Sequence, residues 1–418
     1  MLGLRPRPIV LSPFVITCRR PQHFNLSIKV GAIMTKTTTC AKRRSPHQQV
    51  LLPKKVTVGT DFSGMDTPVI ALKKLKVDFR HVFSCEKSRA GEKLIKKVFQ
   101  PEVFYKDIEK RSFGEAPACS VYVSSFPSPP FSNWSTSGEG ADDECGRLVF
   151  NSLKYVESRL PPAVIFENVP QFATKHAALY DVIRKAFRSL GYVIEEKVLD
   201  AHDHGLPHSR PRWYFVAIAT SAMRKRGHLE SVFPAPRASC AHLPQSIVAP
   251  AAKFLKLPTT TEAKTNAMDA YEKAIKKGIN PFVQPLIIDC KTTPPQWPSY
   301  DYGVGSAPCL RSCHCRQANA YWCSTKGGFL KVEDLAWLQG VEPADCDWKS
   351  AKISKGQFGG LVGNAMSVNI LVQLLPRLLH QARLVTPREF KKMEAIACSL
   401  YGPAAAVEQP PLTDQAQP

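Results

Sequence analysis

Residues 121–134 read VYVSSFPSPPFSNW, and this stretch decides how the rest of the chain can be arranged. An apolar run ends in two serines, and a loop with three prolines follows it. In an open α/β sheet, reactive groups lie where buried strands end, at their carboxyl ends. Because proline fixes φ and stiffens a loop, we expect Ser128 to be held rigidly at such an edge.

Strand-like and helix-like segments alternate on both sides of this loop. The alternation predicts an α/β fold, a doubly wound parallel sheet with helices on both faces. The predicted strands are residues 56–58, 77–85, 103–105, 121–123, 163–166, 192–200 and 212–219. The predicted helices are residues 67–74, 88–99, 147–159, 180–190, 332–339 and 365–379.

Composition divides the chain into five segments. Residues 1–55 hold eleven Lys and Arg and no Asp or Glu, which predicts a flexible basic arm or a targeting segment. Residues 56–220 carry the alternating pattern, and residues 221–325 lose it, which predicts a smaller loop-rich domain. The pattern returns in residues 326–385, and residues 386–418 read as a C-terminal tail.

The net charge of the 418-residue chain is +21, which favours a polyanionic partner, nucleic acid ahead of an acidic membrane surface. A solvated basic surface with a basic tail is the alternative. No apolar run approaches the roughly 20 residues that cross a bilayer, so we expect no membrane insertion. Thirteen cysteines spread along the chain fit reduced thiols better than a disulfide scaffold.

A glycine-containing turn, residues 61–67, follows the first predicted strand and lets a ligand approach the backbone and the next helix. Glu86 ends the second strand and can accept two ribose hydroxyls. Asp107 follows the third strand and can bind an adenine amino group. Two such carboxylates after a glycine turn favour an adenosine-containing ligand, although a single acidic strand end is commonplace.

Two further strand ends carry groups suited to chemistry. Glu167 follows an apolar strand, so it can have a raised pKa and donate a proton, or it can simply cap the next helix. Arg210 and Arg212 lie two residues apart in an extended segment and therefore point the same way. They can hold a phosphate or a polar base edge, or they can be a solvent-facing pair.

Four cysteines raise the question of zinc: Cys309, Cys313, Cys315 and Cys323. Their spacing lacks the paired CxxC of common zinc knuckles. Ordinary reduced cysteines are therefore the preferred interpretation, and we expect no metal.

The order of these pieces resembles the successive motifs of the DNA cytosine-5 methyltransferase family, from about residue 56 to residue 379. The motifs are Asp61-Phe62-Ser63-Gly64, Glu86, Asp107-Ile108, the Phe-Pro-x-x-Pro-Phe-Ser loop, Glu167-Asn168-Val169, Arg210-x-Arg212, Leu338-Gln339-Gly340 and Gly363-Asn364. The resemblance implies a Rossmann-like S-adenosylmethionine-dependent methyltransferase fold. It also implies that residues 221–325 are the target-recognition region.

The resemblance implies a role for each site residue. S-adenosylmethionine would contact Phe62, Gly64, Met65, Glu86, Asp107, Ile108 and Asn364. The target cytosine of double-stranded DNA would be flipped out of the duplex, a nucleophile would add to C6, and C5 would take the methyl group. Glu167 would bind the N3 edge of the base, and Arg210 and Arg212 would orient the base and the backbone.

Three departures from the family pattern matter. Ser128 stands where the family has its nucleophilic cysteine, and a hydroxyl is a weak nucleophile unless a base activates it. His208 replaces a glutamine before the two arginines and is the other base among the motifs. Asp66 and Thr67 replace glycines after the first turn.

Three functions therefore stay open on the sequence. The first is a DNA cytosine-5 methyltransferase that uses Ser128 or a nearby thiol, and it is preferred. The second is a regulatory homologue that binds DNA and S-adenosylmethionine without methylating. The third is an RNA cytosine methyltransferase. We expect a monomer in the nucleus, with the mitochondrion or plastid as alternatives because of the basic arm.

Overall fold

The computed structural model describes residues 55–112, 114–127, 148–224, 230–237, 242–248, 257–291 and 302–403, together with the two short strands Ile9–Leu11 and Phe14–Ile16. Ser128, most of the basic arm and the end of the C-terminal tail lie outside the described residues. The chain divides into two compact units, residues 1–51 and residues 52–418. In the first unit, β1 (Ile9–Leu11) and β2 (Phe14–Ile16) pair antiparallel.

The second unit is built on a seven-stranded sheet in the order β5-β4-β3-β6-β7-β9-β8. Its strands are β3 (Val56–Asp61), β4 (Phe79–Cys85), β5 (Val103–Tyr105), β6 (Val121–Ser124), β7 (Ala163–Asn168), β8 (Tyr192–Asp200) and β9 (Pro211–Ala219). The five strands from β3 to β7 run parallel, as predicted.

The parallel sheet predicted for all seven strands is wrong for β9 alone, which runs antiparallel to both of its neighbours, β7 and β8. Only residues 201–210 connect β8 to β9. A connection that short suits an antiparallel pair, whereas a parallel crossover needs a dozen residues or more. The beginning of β9 therefore lies beside the carboxyl end of β7, where residue 168 pairs with residue 213.

Helices cover both faces of this sheet. The helices are α1 (Thr67–Lys74), α2 (Arg89–Leu94), α3 (Val149–Arg159), α4 (Gln171–Lys175), α5 (Ala177–Ser189), α6 (Gln245–Val248), α7 (Thr261–Lys276), α8 (Ser312–Cys315), α9 (Val332–Leu338), α10 (Lys355–Asn364), α11 (Val368–Gln381) and α12 (Pro387–Tyr401). One core lies between the sheet and α1, α2 and α9 to α12. A second core lies between the opposite face and α3 to α5. The three layers confirm the α/β, doubly wound expectation.

Two helices near the end of the chain were not predicted. Helix α10 contains four glycines, which lower helix propensity. They let α10 approach α8 so closely that a Cβ on Gly359 would lie 1.9 Å from the Cys315 carbonyl oxygen. Helix α12 begins at a capping box of Thr386 and Glu389 in what was read as tail.

The region read as loop-rich contains a small antiparallel sheet in the order β11-β10-β12-β13. Its strands are β10 (Leu286–Asp289), β11 (Tyr302–Val304), β12 (Tyr321–Cys323) and β13 (Gly328–Phe329). Helix α7 packs on it through a separate apolar cluster. The boundaries at residues 221 and 325 stay a prediction.

Within the described ranges, no single helix is long and apolar enough to cross a membrane. Helices α10 and α11 reach that length and composition only as a pair bent by 46°.

Candidate functional site

The carboxyl ends of β3 to β7 and the beginning of β9 meet at one edge of the sheet, here called the carboxyl edge. The structure places Phe62, Glu86 and Glu167 on this edge, and Ser125 follows the end of β6 there. Ser128 would follow three residues later, outside the described residues.

The side chain of Asp61, the last residue of β3, is bound by other side chains of the protein. Its two carboxylate oxygens accept hydrogen bonds from Arg111 at 2.6 and 2.7 Å, and Tyr122 donates a short hydrogen bond to one of them. Both side chains of the ion pair are fully buried. Burial and the Asp61 carboxylate raise the pKa of Tyr122 well above its ordinary value, so its hydroxyl stays protonated and donates. Asp61 therefore stabilises the end of β3 through buried contacts with Arg111 and Tyr122.

Glu86 is held by backbone amides at the end of β4. One carboxylate oxygen accepts from the Gly64 N–H and the other from the Ser88 N–H, each at 2.8 Å. A Cβ on Gly91 would lie 2.5 Å from Glu86 Cγ, so this glycine makes the room that the carboxylate occupies. Each carboxylate oxygen keeps acceptor capacity beyond its one amide, and Glu86 is partly exposed. The cradle thus fits a ligand with two neighbouring hydroxyls.

The other residues predicted to bind the cofactor differ in exposure. Phe62 and Asp107 are partly exposed, and Asn364, the last residue of α10, is exposed. The side chains of Met65 and Ile108 are buried, at 1% and 5% exposed. Any contact that a ligand makes with Met65 would therefore use its backbone.

Asp66 occupies a position where the resemblance leads us to expect glycine. Its φ is +52°, in the left-handed region that favours glycine, and among other residues Asn and Asp adopt it most readily. Its carboxylate accepts from the hydroxyls of Thr60 and Ser84, each at 2.7 Å. Burial raises the pKa of Asp66 above its usual value. Local hydrogen bonds therefore hold the turn that places Gly64 beside Glu86.

Glu167 is the second-last residue of β7, and two neighbouring side chains hold its carboxylate in place. The Ser125 hydroxyl donates to one of its carboxylate oxygens at 2.5 Å, and Nε of Arg212 lies 3.5 Å from the other. The side chain is 6% exposed. Alternation along β6 places Ser125 on the same face as Val121 and Val123. The side on which Ser125 lies could therefore have been predicted from the sequence.

Arg210 and Arg212 point the same way, as predicted, but their surroundings differ. Arg210 is 2% exposed, and its guanidinium donates to the carbonyls of Leu310, Gly363 and Ala365 at 3.0, 3.1 and 2.8 Å. It ties the beginning of β9 to the end of α10. Arg212 is partly exposed, and its Nε lies 3.5 Å from the Glu167 carboxylate.

His208 is buried, and its Nε2 accepts a hydrogen bond from the Leu310 N–H at 3.1 Å. Burial and the two following arginines hold the pKa of His208 well below its ordinary value. The imidazole is therefore neutral, and it positions the segment that contains Cys309.

The four cysteines considered as zinc ligands, and interpreted as ordinary reduced thiols, lie in different surroundings. Cys309 contacts both arginines, Cys313 is exposed, and Cys315 and Cys323 are buried in the core. In the ranges that the structure describes, no group of three or more His, Cys, Asp or Glu side chains is arranged to hold a metal ion. His314 instead contacts the Asp289 carboxylate at 2.8 Å.

A carboxylate held by backbone amides at Glu86 and a fixed carboxylate at Glu167, at one edge of a Rossmann-like sheet, are typical of the class of nucleotide-binding α/β enzymes. The particular family follows from comparison with known proteins. The profile of the C-5 cytosine-specific DNA methylase family matches residues 61–380. The chain belongs to this family, whose methyl donor is S-adenosylmethionine.

Relatives support this family. The type II methyltransferase M.NlaIV of Neisseria lactamica is 31% identical over 152 residues, which cover 34% of this chain and 36% of the relative. DNA (cytosine-5-)-methyltransferase DMT5 of Cryptococcus neoformans is 27% identical over 259 residues, 52% of this chain and 10% of the relative. The matches thus span about a third or less of these relatives' length.

Solved structures show the same fold. Entamoeba histolytica methyltransferase EhMeth superposes with a TM-score of 0.55 at 16% identity, over 78% of this chain and 99% of that one. The Dnmt2 methyltransferase of S. pombe gives a TM-score of 0.52 at 14% identity, with the same coverage.

The cradle gives a direct prediction for donor binding. Replacing Glu86 with alanine removes the carboxylate predicted to accept the ribose hydroxyls, so we expect the Kd for S-adenosylhomocysteine to rise about 10- to 100-fold, the loss of one or two charge-assisted hydrogen bonds. Isothermal titration calorimetry measures the change. Glu92→Ala, which removes a carboxylate of the following helix that pairs with Lys96, is the matched control. Unchanged affinity in Glu86→Ala would exclude the cradle as the donor site.

Proposed function

We propose that this protein transfers the methyl group of S-adenosylmethionine to C5 of cytosine in double-stranded DNA. The observation that carries the proposal is the fixed Glu167 carboxylate, held by Ser125 and Arg212 at the same edge as the Glu86 cradle. Membership of the family gives the reaction class. The net charge of +21 supports contact with phosphates.

The carboxyl edge would bind both the methyl donor and the target base. The Glu86 cradle would hold the donor, which supplies an electrophilic methyl group when bound. Glu167, in its protonated form, would donate its proton in a hydrogen bond to N3 of a cytosine, which would offset the negative charge that develops there when a nucleophile adds to C6. Arg212 would lie beside the same ring and keep Glu167 oriented. A base inside the stack cannot reach these groups, so the cytosine would leave the duplex.

A second function is favoured by one feature of the sequence. By the order of the motifs, Ser128 would stand at the position of the family's nucleophilic cysteine. A protein whose nucleophile has been lost would bind DNA and donor without methylating. This regulatory function keeps the same cradle and the same carboxylate, so binding measurements alone do not separate the two.

Methyl transfer separates them. Purified protein is incubated with tritiated S-adenosylmethionine and unmethylated duplex DNA, and label is counted in cytosine after hydrolysis to nucleosides. We expect label at C5 with DNA, and little with an RNA of the same sequence. Binding of DNA and S-adenosylhomocysteine without label, with transfer restored by Ser128→Cys, would favour the regulatory function. Methyl transfer to RNA and not to DNA would show that the substrate is RNA.

The cellular site is also a proposal. We propose that the protein acts in the nucleus, with the mitochondrion or plastid as alternatives, because residues 1–55 are basic and free of acidic residues. A fluorescent fusion at the C-terminus, with and without residues 1–33, tests this placement.

A further inference from the structure

A thiol lies beside the groups that would receive the base. The Cys309 sulfur is 3.8 Å from Nη2 of Arg212 and 3.9 Å from Nη1 of Arg210. Nε of the same Arg212 lies 3.5 Å from the Glu167 carboxylate. One guanidinium therefore contacts both the thiol and the carboxylate, and Cys309 is partly exposed.

The backbone on both sides of Cys309 is held in place. Ala307 forms a parallel bridge with His208. The Leu310 N–H donates to Nε2 of His208 at 3.1 Å, and the Leu310 carbonyl accepts from Nη1 of Arg210 at 3.0 Å. Buried, hydrogen-bonded neighbours thus fix the position of the thiol relative to the two arginines.

The charge around this thiol favours its thiolate. Two guanidinium groups contact the sulfur, and neighbouring cations stabilise a thiolate, which is the nucleophilic form of cysteine. His208, which accepts from the neighbouring Leu310 N–H, is neutral because burial and both arginines lower its pKa.

A second observation points to a ligand at this place. Tyr214 lies opposite Glu167 in the antiparallel pair of β7 and β9, so the two side chains share a face. Its hydroxyl is buried and has no hydrogen-bond partner among the described residues. Burial and the Glu167 carboxylate raise its pKa, so it remains a donor. A buried donor without a partner is costly, and a polar ring edge would satisfy it.

We propose that Cys309, rather than Ser128, is the nucleophile that adds to C6 of the target cytosine. This inference rests on the proposed function. The thiolate forms an S–C6 bond, and the C5=C6 electron pair moves to C5. That pair takes the methyl group, and the donor leaves as S-adenosylhomocysteine. Water removes the C5 proton, the electron pair restores C5=C6, and the S–C6 bond breaks to return the thiolate.

Three other thiols are less suited. Burial raises the pKa of Cys119 to about 12, and its sulfur contacts the Tyr155 hydroxyl at 3.3 Å. Burial likewise raises the pKa of Cys315 to about 12. Cys313 is exposed on α8, and the structure records no contact between it and either arginine.

The covalent step can be trapped. Duplex DNA with 5-fluorocytosine at target positions is incubated with the protein and S-adenosylmethionine. After methyl transfer C5 carries fluorine and no proton, so the nucleophile cannot leave and the adduct survives SDS. Proteolysis and mass spectrometry then identify the residue that carries the nucleotide. We expect it on Cys309.

Variants test the same assignment by rate. Cys309→Ala is expected to lose the adduct and to slow methyl transfer at least about a thousand-fold, as removal of a nucleophile does. Cys313→Ala, four residues away, is the matched control and should keep adduct and transfer. Binding of S-adenosylhomocysteine and thermal melting check that Cys309→Ala is folded. If it is not, the adduct mapped in the unaltered protein decides.

The outcomes separate this inference from the proposed function. Methyl transfer with the adduct on another residue, or transfer retained in Cys309→Ala, would overturn the role of Cys309 and leave the methyltransferase intact. Unaltered protein that gives neither transfer nor adduct would overturn both.

Discussion

Replacing Arg111 with methionine is expected to lower the free energy of unfolding by about 3–5 kcal/mol, because removing one partner of a buried ion pair strands the other charge. Arg111 donates two hydrogen bonds to Asp61, and both side chains are inaccessible to solvent. The guanidinium also lies over the rings of Phe83 and Tyr155, at 5.1 and 5.3 Å from their centroids. Urea denaturation followed by circular dichroism measures the loss.

Two further variants make this prediction specific. Arg111→Met combined with Asp61→Asn removes both charges, and we expect it to be more stable than Arg111→Met alone. Arg80→Met breaks another two-bonded Arg–carboxylate pair, with Glu102, whose side chains are 56% and 44% exposed. Solvent screens that pair, so stability should hardly change. Equal losses in Arg111→Met and Arg80→Met would contradict the buried-pair account.

Most of the sheet followed from the sequence because strand and helix periods differ. Helix α1 and strands β5 and β8 lie where they were predicted, and β3, β6 and β7 extend a few residues further. The direction of β9 did not follow from alternation. It follows from the short connection between β8 and β9, residues 201–210, which suits an antiparallel pair.

Helix α10 was missed for a reason that lies in tertiary structure. Its glycines argue against a helix on propensity, yet they are where α8 approaches it. A Cβ on Gly363 would lie 2.5 Å from Ser312 Cα. Close packing between segments 50 residues apart leaves no periodic signal in the sequence.

The candidate site was predictable where strands end and not where distant segments meet. Glu86 and Glu167 were found because each ends an apolar strand. Arg111 reaches Asp61 across 50 residues, and Cys309 reaches Arg212 across 97. Its spacing from the neighbouring cysteines made Cys309 a candidate zinc ligand, whereas the fold places it beside two arginines.

The same distant contacts join the closing motifs to the edge. Arg210 donates to the carbonyls of Gly363 and Ala365, and Gln339 donates to the Val362 carbonyl at 3.0 Å. Residues of the last motifs therefore hold α10 against the beginning of β9. Substitutions in these closing motifs would therefore shift the backbone that positions Arg212 and Cys309.

Replacing Glu167 with glutamine is expected to lower the rate constant of methyl transfer about 100- to 1000-fold, with little change in donor affinity. The amide keeps the size of the side chain but loses the charge that faces Arg212 and the capacity to exchange a proton with N3. The Ser125 hydroxyl can still donate to the amide oxygen, so the fold around β7 should persist. Single-turnover transfer of tritiated methyl, with saturating protein and donor, isolates this step.

The matched control is Glu196→Gln on β8. Glu196 pairs across the sheet with Phe215, next to Tyr214, so its side chain lies on the face opposite to that of Glu167. Its side chain contacts Arg184, Tyr180 and Trp213 on that opposite face. Transfer by Glu196→Gln should stay within about threefold of the unaltered protein, as for a surface change away from the site. A Glu167→Gln variant that transfers methyl equally fast would place the charge stabilisation elsewhere. It would leave the Glu86 cradle unaffected, because S-adenosylhomocysteine binding reports on the cradle separately.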